Sequence, residues 1–496
     1  MDEAKRDRGW AAAGLTRRGF LRGTAGAAGL LALGAAGQTW AAGEGDWQAK
    51  VEAALPGKAP VAAKRARKLL IFDLNVGYGG HGSIPTANFA FTRMGEKTGA
   101  FTTVISKDPA VFGAENLRQF DAVFFNNNVG NLFEDPTLRQ NLIDFVYSGG
   151  GLMGVHGTTV AFTRWTEGAA EDWPEFAVML GARGANHRAA DERVMVRLDD
   201  PGHPVVAAFG GKPFEYRDEF FRFQEAYSRN RDRVLMSIDI EKSDLKQGKD
   251  LGSCFREDGD YALAWVRQYG RGRVFYCTIA HNPAVFMDSK MLELYLAATQ
   301  FVLGDLAAPT TPSAKLTEPV RAQDKLGWRV ALSVPAGEES SLFEAIDRAA
   351  EFGLLAVSAN YGMKVSKELP MQFSAQLSDD QRRTIRLKLD AACVRLLSCR
   401  IDALGGNEAE LRRTFDFVRK MGIETIIAKP SADNSGIVAA LSKEFDIRVV
   451  PDDKAASGKS PIHIIEASRG AARAEIVAAV ERINQLSIQQ AQKGLP

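Results

Sequence analysis

The segment Gly149-Gly150-Gly151-Leu152-Met153-Gly154-Val155-His156-Gly157 reads as a glycine-rich turn, a short apolar strand and a sharp corner that carries a histidine. The glycines around that corner let the backbone bend tightly, and they are expected to leave the His156 imidazole poorly covered. The carboxyl ends of strands in open α/β sheets are where ligands bind. A histidine there can titrate near neutral pH, move a proton or hold a metal. His281 also follows a strand candidate, His187 lies in the polar run Asn186-His187-Arg188, and Glu219 lies in the acidic break Asp218-Glu219 before an aromatic run. Two or three histidines with a carboxylate are the ligand types of a catalytic zinc centre. The same groups without a metal make an acid/base pair. The sequence leaves both open, with His156, His187, His281 and Glu219 as candidate ligands of a divalent metal such as zinc.

Other side chains around these could meet a sugar. The amides of Asn126, Asn127 and Asn128 follow a strand and could bind hydroxyls or cap the strand end. Trp165 and Trp173 could stack on a sugar ring, although core packing is the commoner use of tryptophan. His81, in a glycine-rich loop, is expected at the surface. His203, before Pro204, is expected to shape a turn, and His463 to be structural.

The elements that must position these groups alternate. Apolar runs at Lys68–Asp73, Phe101–Ser106, Asp121–Asn127 and Leu152–His156 read as strands, with helices at 114–120 and 138–148. Strands that are continuously apolar imply a parallel sheet covered on both faces. Further strands are expected at 193–198 and 233–238, a hairpin at 262–268 and 273–279, and a helix at 290–303. Residues 306–325 are rich in Pro, Thr and Ala and read as a linker. Six strands and five helices alternate over 326–496, as in a parallel sheet or part of a barrel. Cys393 and Cys399 fall together in one expected strand, and no C-x-x-C pair is present.

The chain has 496 residues, 45% of them hydrophobic and 25% charged, which fits a globular protein of two or three domains. A formal net charge of +1 gives no reason to expect nucleic acid or an anionic membrane as partner. At the N-terminus, Thr16-Arg17-Arg18-Gly19-Phe20-Leu21-Arg22 precedes an Ala/Gly-rich run and the small residues Ala41 and Ala42. This resembles a twin-arginine export signal over residues 1–42 and implies a periplasmic or secreted protein. The run is too short and too rich in glycine for a stable membrane span. Residues 43–67 then lead into the first domain.

In order and spacing, GGGLMGVHG, Trp165, the stretch from Leu180 to His187, Asp200-Pro201-Gly202-His203-Pro204, Asp218-Glu219-Phe220 and Gly272 to Asn282 resemble the ThuA-like (trehalose utilisation) family over 68–305. The resemblance implies a flavodoxin-like fold related to class I glutamine amidotransferases. Those enzymes carry a nucleophilic cysteine at the elbow that is His156 here, so their thioester chemistry is disfavoured. It also implies a carbohydrate substrate, a disaccharide such as trehalose or a keto derivative of it. A hydrolytic or lyase-type step would use His156, Glu219 and His281, with Asn127, Trp165, His187 and Asp218 binding substrate. The alternative is a non-catalytic periplasmic carbohydrate-binding protein. No dinucleotide fingerprint follows the first strand, so any oxidation would fall to a partner dehydrogenase. A homo-oligomer is a further possible partner arrangement.

Residues 326–450 resemble the front of a xylose-isomerase-like barrel. The resemblance rests on Ser340–Gly353, Phe415–Gly422 and Leu441–Ile447. The expected metal-binding strand ends are missing, and about 170 residues are too few for a full barrel of roughly 250. A partial TIM barrel without its own activity is the expectation.

Overall fold

The computed structural model describes residues 46–164, 172–243, 255–334, 340–402, 404–451, 462–467 and 473–494. Trp165, Cys254 and the export-signal motif lie outside them. Gln48–Pro496 pack as one unit holding two large sheets.

The first eleven strands are β1 (Lys68–Phe72), β2 (Thr102–Ser106), β3 (Ala122–Asn126), β4 (Gly151–Val155), β5 (Arg183–His187), β6 (Glu192–Leu198), β7 (Phe214–Asp218), β8 (Phe221–Gln224), β9 (Arg233–Ile238), β10 (Ala262–Tyr269) and β11 (Gly272–Cys277). Nine of them form one sheet in the order β2-β1-β3-β4-β11-β10-β9-β6-β7, and β5 and β8 form a separate two-stranded ribbon. The expected parallel pairing holds from β2 to β11, and β10 and β11 form the expected hairpin. From β10 outward the pairs are antiparallel. The reason is the tight Gly270-Arg271 turn, which can join only antiparallel strands.

The parallel half is the apolar one. Every residue of β3 and β4 is buried, with the helices Ile84–Thr98, Pro136–Tyr147 and Ser289–Leu303 packed on it. Asp135 and Asp288 cap the last two by accepting backbone N–H groups of the first turn. Gly151 explains part of the glycine run. A Cβ there would sit 2.3 Å from the Val302 carbonyl oxygen, so only glycine lets the helix Ser289–Leu303 lie this close to β4.

The second sheet contains β12 (Arg329–Ser333), β13 (Ala356–Asn360), β14 (Arg395–Arg400), β15 (Thr425–Ile427), β16 (Arg448–Val450) and β17 (Ile462–Glu466). All its pairs are parallel, in the order β16-β15-β14-β13-β12-β17. Its helices start where the sequence marks them. Ser341 with Glu344, Ser378 with Gln381 and Asn407 with Glu410 form reciprocal capping boxes. Cys393 is not in a strand. It closes the helix Asp379–Ala392 in the left-handed conformation, with φ 55°.

The two sheets are tied by charge and aromatic contact. The buried Arg386 donates to Asp144 Oδ1 at 2.7 Å and to the Lys420 carbonyl at 2.6 Å, and its guanidinium lies 4.6 Å from the centre of the Tyr147 ring. The stretch expected to be a linker is docked instead. Ser313 Oγ accepts from the Val234 amide, the Ala314 amide donates to the Arg229 carbonyl, and Glu318–Leu326 is a helix. Pro-rich composition does not make it a free tether.

His203 belongs to this docking. Its Nε2 lies 3.0 Å from the Pro309 carbonyl, which fixes Nε2 as the donor, and its Nδ1 accepts from the Val205 amide. Both nitrogens are used in the neutral form, and burial pulls its pKa down from 6.5 to about 4. Between those values the unfolded chain takes up a proton that the folded chain refuses. The contribution is therefore full above pH 6.5 and is lost as the pH falls toward 4. Between pH 7.5 and 5.0 the native protein is expected to lose roughly 2 kcal/mol more stability than His203→Asn, which keeps a capping acceptor. Urea unfolding at the two pH values checks this, and equal losses would contradict it.

No helix among the described residues is long and apolar enough to cross a membrane.

Candidate functional site

His156 sits at the corner after β4, beside the end of β11, where Val155 and Cys277 are in register. Its φ is +38°, a conformation that non-glycine residues adopt rarely and at some energetic cost. The ring is fully buried, contrary to the expectation of a poorly covered imidazole. The flanking glycines serve close approach. A Cβ on Gly154 would meet Leu180 and Thr158 at 2.9 Å, and one on Gly157 would meet His81 Cε1 at 2.9 Å.

Four further groups converge on this corner. His81 comes from the loop after β1 and His281 from the loop after β11, and their rings lie 4.9 and 5.1 Å from that of His156. His81 is thus not the surface residue expected. Each of these three rings offers a nitrogen, and the three nitrogens all lie within 4.8 Å of one another. Glu219 follows β7, and His187 ends β5. The β5–β8 ribbon sets His187 opposite Phe221, whose ring packs on both His187 and His156. Glu219 Oε1 stands 3.3 Å from His156 Nε2 and 3.7 Å from His281 Nε2, and Oε2 stands 3.1 Å from His187 Nδ1.

The hydrogen bonds around the rings fix where protons sit. His156 Nδ1 lies 3.1 Å from the Thr278 carbonyl and must donate to it. In the neutral ring Nε2 then carries a lone pair, and that atom is buried with no hydrogen-bond partner, although it faces a carboxylate oxygen. His81 Nδ1 is likewise buried without a partner. Lone pairs turned toward one another and toward an anion repel unless a cation lies among them. A second nitrogen held by a backbone carbonyl is the usual support of a metal-binding histidine. The donor set fits a divalent transition metal held by His81, His156 and His281, with Glu219 adjacent.

Electrostatics sharpen the roles. Burial drives His81 down to about 2, helped by the neighbouring His156 and His281, and burial also lowers His156. Both shifts favour the neutral ring, the form that can bind a metal. Burial works to raise the Glu219 carboxyl, but the imidazoles around it, with His187 donating Nδ1–H, outweigh it and hold the group well below the usual carboxylate range. Burial likewise works to lower His187, and the Glu219 charge outweighs it and raises the imidazole. Glu219 is the anion of the site, and His187, with a side chain 28% exposed, is the imidazole with most access to solvent.

The remaining expected residues hold the site together. Asn127, at φ 56°, donates from Nδ2 to Ser83 Oγ and the Ala280 carbonyl, and its Oδ1 accepts from the Gly157 amide. It links the three segments that carry His81, His156 and His281. Asp218 accepts from the His281 amide and from the backbone and side-chain N–H groups of Asn282, and burial pushes it up to about 7 despite these donors. Asn126 and Asn128 donate to groups within the fold. Trp173 packs on Phe162 in the core, at a ring distance of 4.9 Å.

A ThuA-like protein of Bacteroides uniformis is 18% identical over 49% of this chain and 94% of its own, with a TM-score of 0.39. A ThuA-like protein of Parabacteroides merdae is 16% identical over 51% of this chain and 100% of its own, with a TM-score of 0.34. A cytoplasmic protein of Salmonella typhimurium is 14% identical over 48% and 98%, with a TM-score of 0.33. No curated protein matches the chain. Residues 68–302 match the family described as ThuA, trehalose utilisation, and this segment carries every histidine and carboxylate of the site.

Proposed function

We propose that this protein acts on a carbohydrate through a metal-binding histidine–glutamate site and cleaves it in a hydrolytic or lyase-type step. The observation that carries the proposal is the convergence of three imidazole nitrogens within 4.8 Å beside the Glu219 carboxylate. The family match of residues 68–302 suggests the carbohydrate, and a disaccharide such as trehalose or a keto derivative is the substrate class we favour. His81, His156 and His281 would hold the metal, which when bound supplies Lewis acidity toward a sugar oxygen. Glu219 keeps the His187 ring oriented through Nδ1, leaving Nε2 to accept and return a proton at the substrate. Phe221 packs over His156 and keeps water from its buried face. Asn127 and Asp218 are positioning residues, since their polar atoms are engaged by the loops that carry the histidines.

In the same reading, residues 1–42 direct export by the twin-arginine route, and the second sheet is a shortened xylose-isomerase-like barrel that supports the first. Any oxidation of the sugar is left to a partner dehydrogenase. The rival reading, a sugar-binding protein without turnover, draws less support, because the Asn126–Asn128 side chains are fully buried.

The test is to incubate the metal-loaded full chain with trehalose and with its keto derivative and to follow the released monosaccharide by chromatography. Release from one of them, lost on chelation and restored by metal, is expected. Saturable sugar binding with no release would give the site to the rival reading.

A further inference from the structure

A large cavity lies away from the histidines. It measures about 1060 Å³ and lies between the two sheets. Its wall includes residues from the amino ends of strands in both: Arg273 near the start of β11, and Arg329, Arg395 and Arg448 at the starts of β12, β14 and β16. His156 and His281 follow the carboxyl ends of β4 and β11, so the cleft lies at the opposite pole of the first sheet.

The charge of this wall is one-sided. Nine basic and four acidic side chains line it. The acids do not go round. Glu424 serves both Arg329 and Arg395, Asp390 serves both Arg231 and Arg267, and Asp324 pairs with Arg233, which is not part of the wall. Among the described residues Arg273 has no carboxylate partner. It donates only to the Val302 and Gly149 carbonyls, at 3.2 Å each. Lys64 Nζ donates to the Gly304 carbonyl, and Arg448 donates to Thr425 Oγ1. Burial, and then the neighbouring charges of Arg67 and Arg271, pull the Arg273 guanidinium down to about 10. A buried cation crowded by other cations is stabilised by an anion brought to it. Trp328, Val330 and Leu354 add an apolar stretch to the same wall.

We propose that this cleft binds a small organic molecule bearing a multivalent oxyanion, a phosphate ester or a polycarboxylate, held between guanidinium groups of both sheets. Guanidinium groups suit this chemistry because their planar donor pairs match the oxygens of phosphate and carboxylate. A ligand that touches Arg273 and Arg395 at once bridges the two sheets, and it stabilises the fold by mass action because the unfolded chain cannot form the site.

The test uses the full chain at constant ionic strength, titrated by calorimetry with inorganic pyrophosphate and, separately, with citrate. Saturable binding of one anion per chain with a rise in melting temperature is expected, and the tighter of the two identifies the class. Arg273→Met and Arg448→Met should each weaken binding at least tenfold. Arg193→Met, which removes an exposed arginine paired with Glu215 on the far strands, should leave it unchanged, as should His281→Ala. Arg448 is exposed and held by one hydrogen bond, so its variant decides the matter if Arg273→Met does not fold. Failure of both anions to saturate, or affinity untouched by the Arg448 substitution, would overturn the proposal.

Discussion

Replacing Glu219 by glutamine is expected to lower kcat on the sugar substrate by ~10²–10⁴-fold while the chain stays folded, the range that a positioned acid/base group supplies. The amide keeps the shape of the carboxylate and one acceptor oxygen, so His187 Nδ1 can still be held. What disappears is the negative charge. Glu219 is the shared neighbour of His156, His187 and His281, and its charge is what raises His187 against the lowering effect of burial. In the glutamine variant the His187 pKa falls, so the limb of the pH–rate profile that reports this group moves to lower pH. Steady-state rates across pH, with circular dichroism as the folding control, give both readouts. An unchanged kcat with an unchanged profile would show that Glu219 takes no part in the chemistry.

The second large effect concerns the metal. Substituting His281 by alanine should weaken zinc binding by at least ~100-fold, since even residues that only orient a ligand cost 10–100-fold when removed. His281 suits the experiment because its side chain is 24% exposed, so truncating it disturbs the core less than truncating the fully buried His156. Calorimetric titration of the metal-stripped chain measures the change. His187→Ala should keep most of the affinity, because the His187 nitrogen facing Glu219 is a donor. Equal losses in the two variants would contradict the assignment of ligands.

The parallel core was legible in the sequence because its signal is strong. KLLIF and AVFFN are unbroken apolar runs, and they became the buried strands β1 and β3. The corner at His156 was legible for the same reason, with glycines marking a bend after an apolar strand. Its burial was not. Glycine allows both exposure and close approach, and only the neighbours, His81 and Val129 against Gly157, decide which. His81 was misplaced because a glycine-rich loop with one histidine looks the same whether it faces water or folds over a strand end. Its position at the end of β1, next to β3 and one strand from β4, was the available signal. The path that brings Glu219 and His187 in from the sheet edge was hidden too. The β5–β8 ribbon pairs two short segments about 40 residues apart, and no short-range pattern reports such pairing. The docking of 305–325 escaped because proline-rich chain carries no periodicity to show what it lies on.

The metal site requires that three imidazoles hold one ion. X-ray absorption at the zinc edge of the loaded full chain tests it most directly. One tightly held zinc per chain is expected, with a first shell dominated by three imidazole nitrogens at about 2.0–2.1 Å. A shell without imidazole scattering, or a chain that retains no zinc after gel filtration, would contradict it.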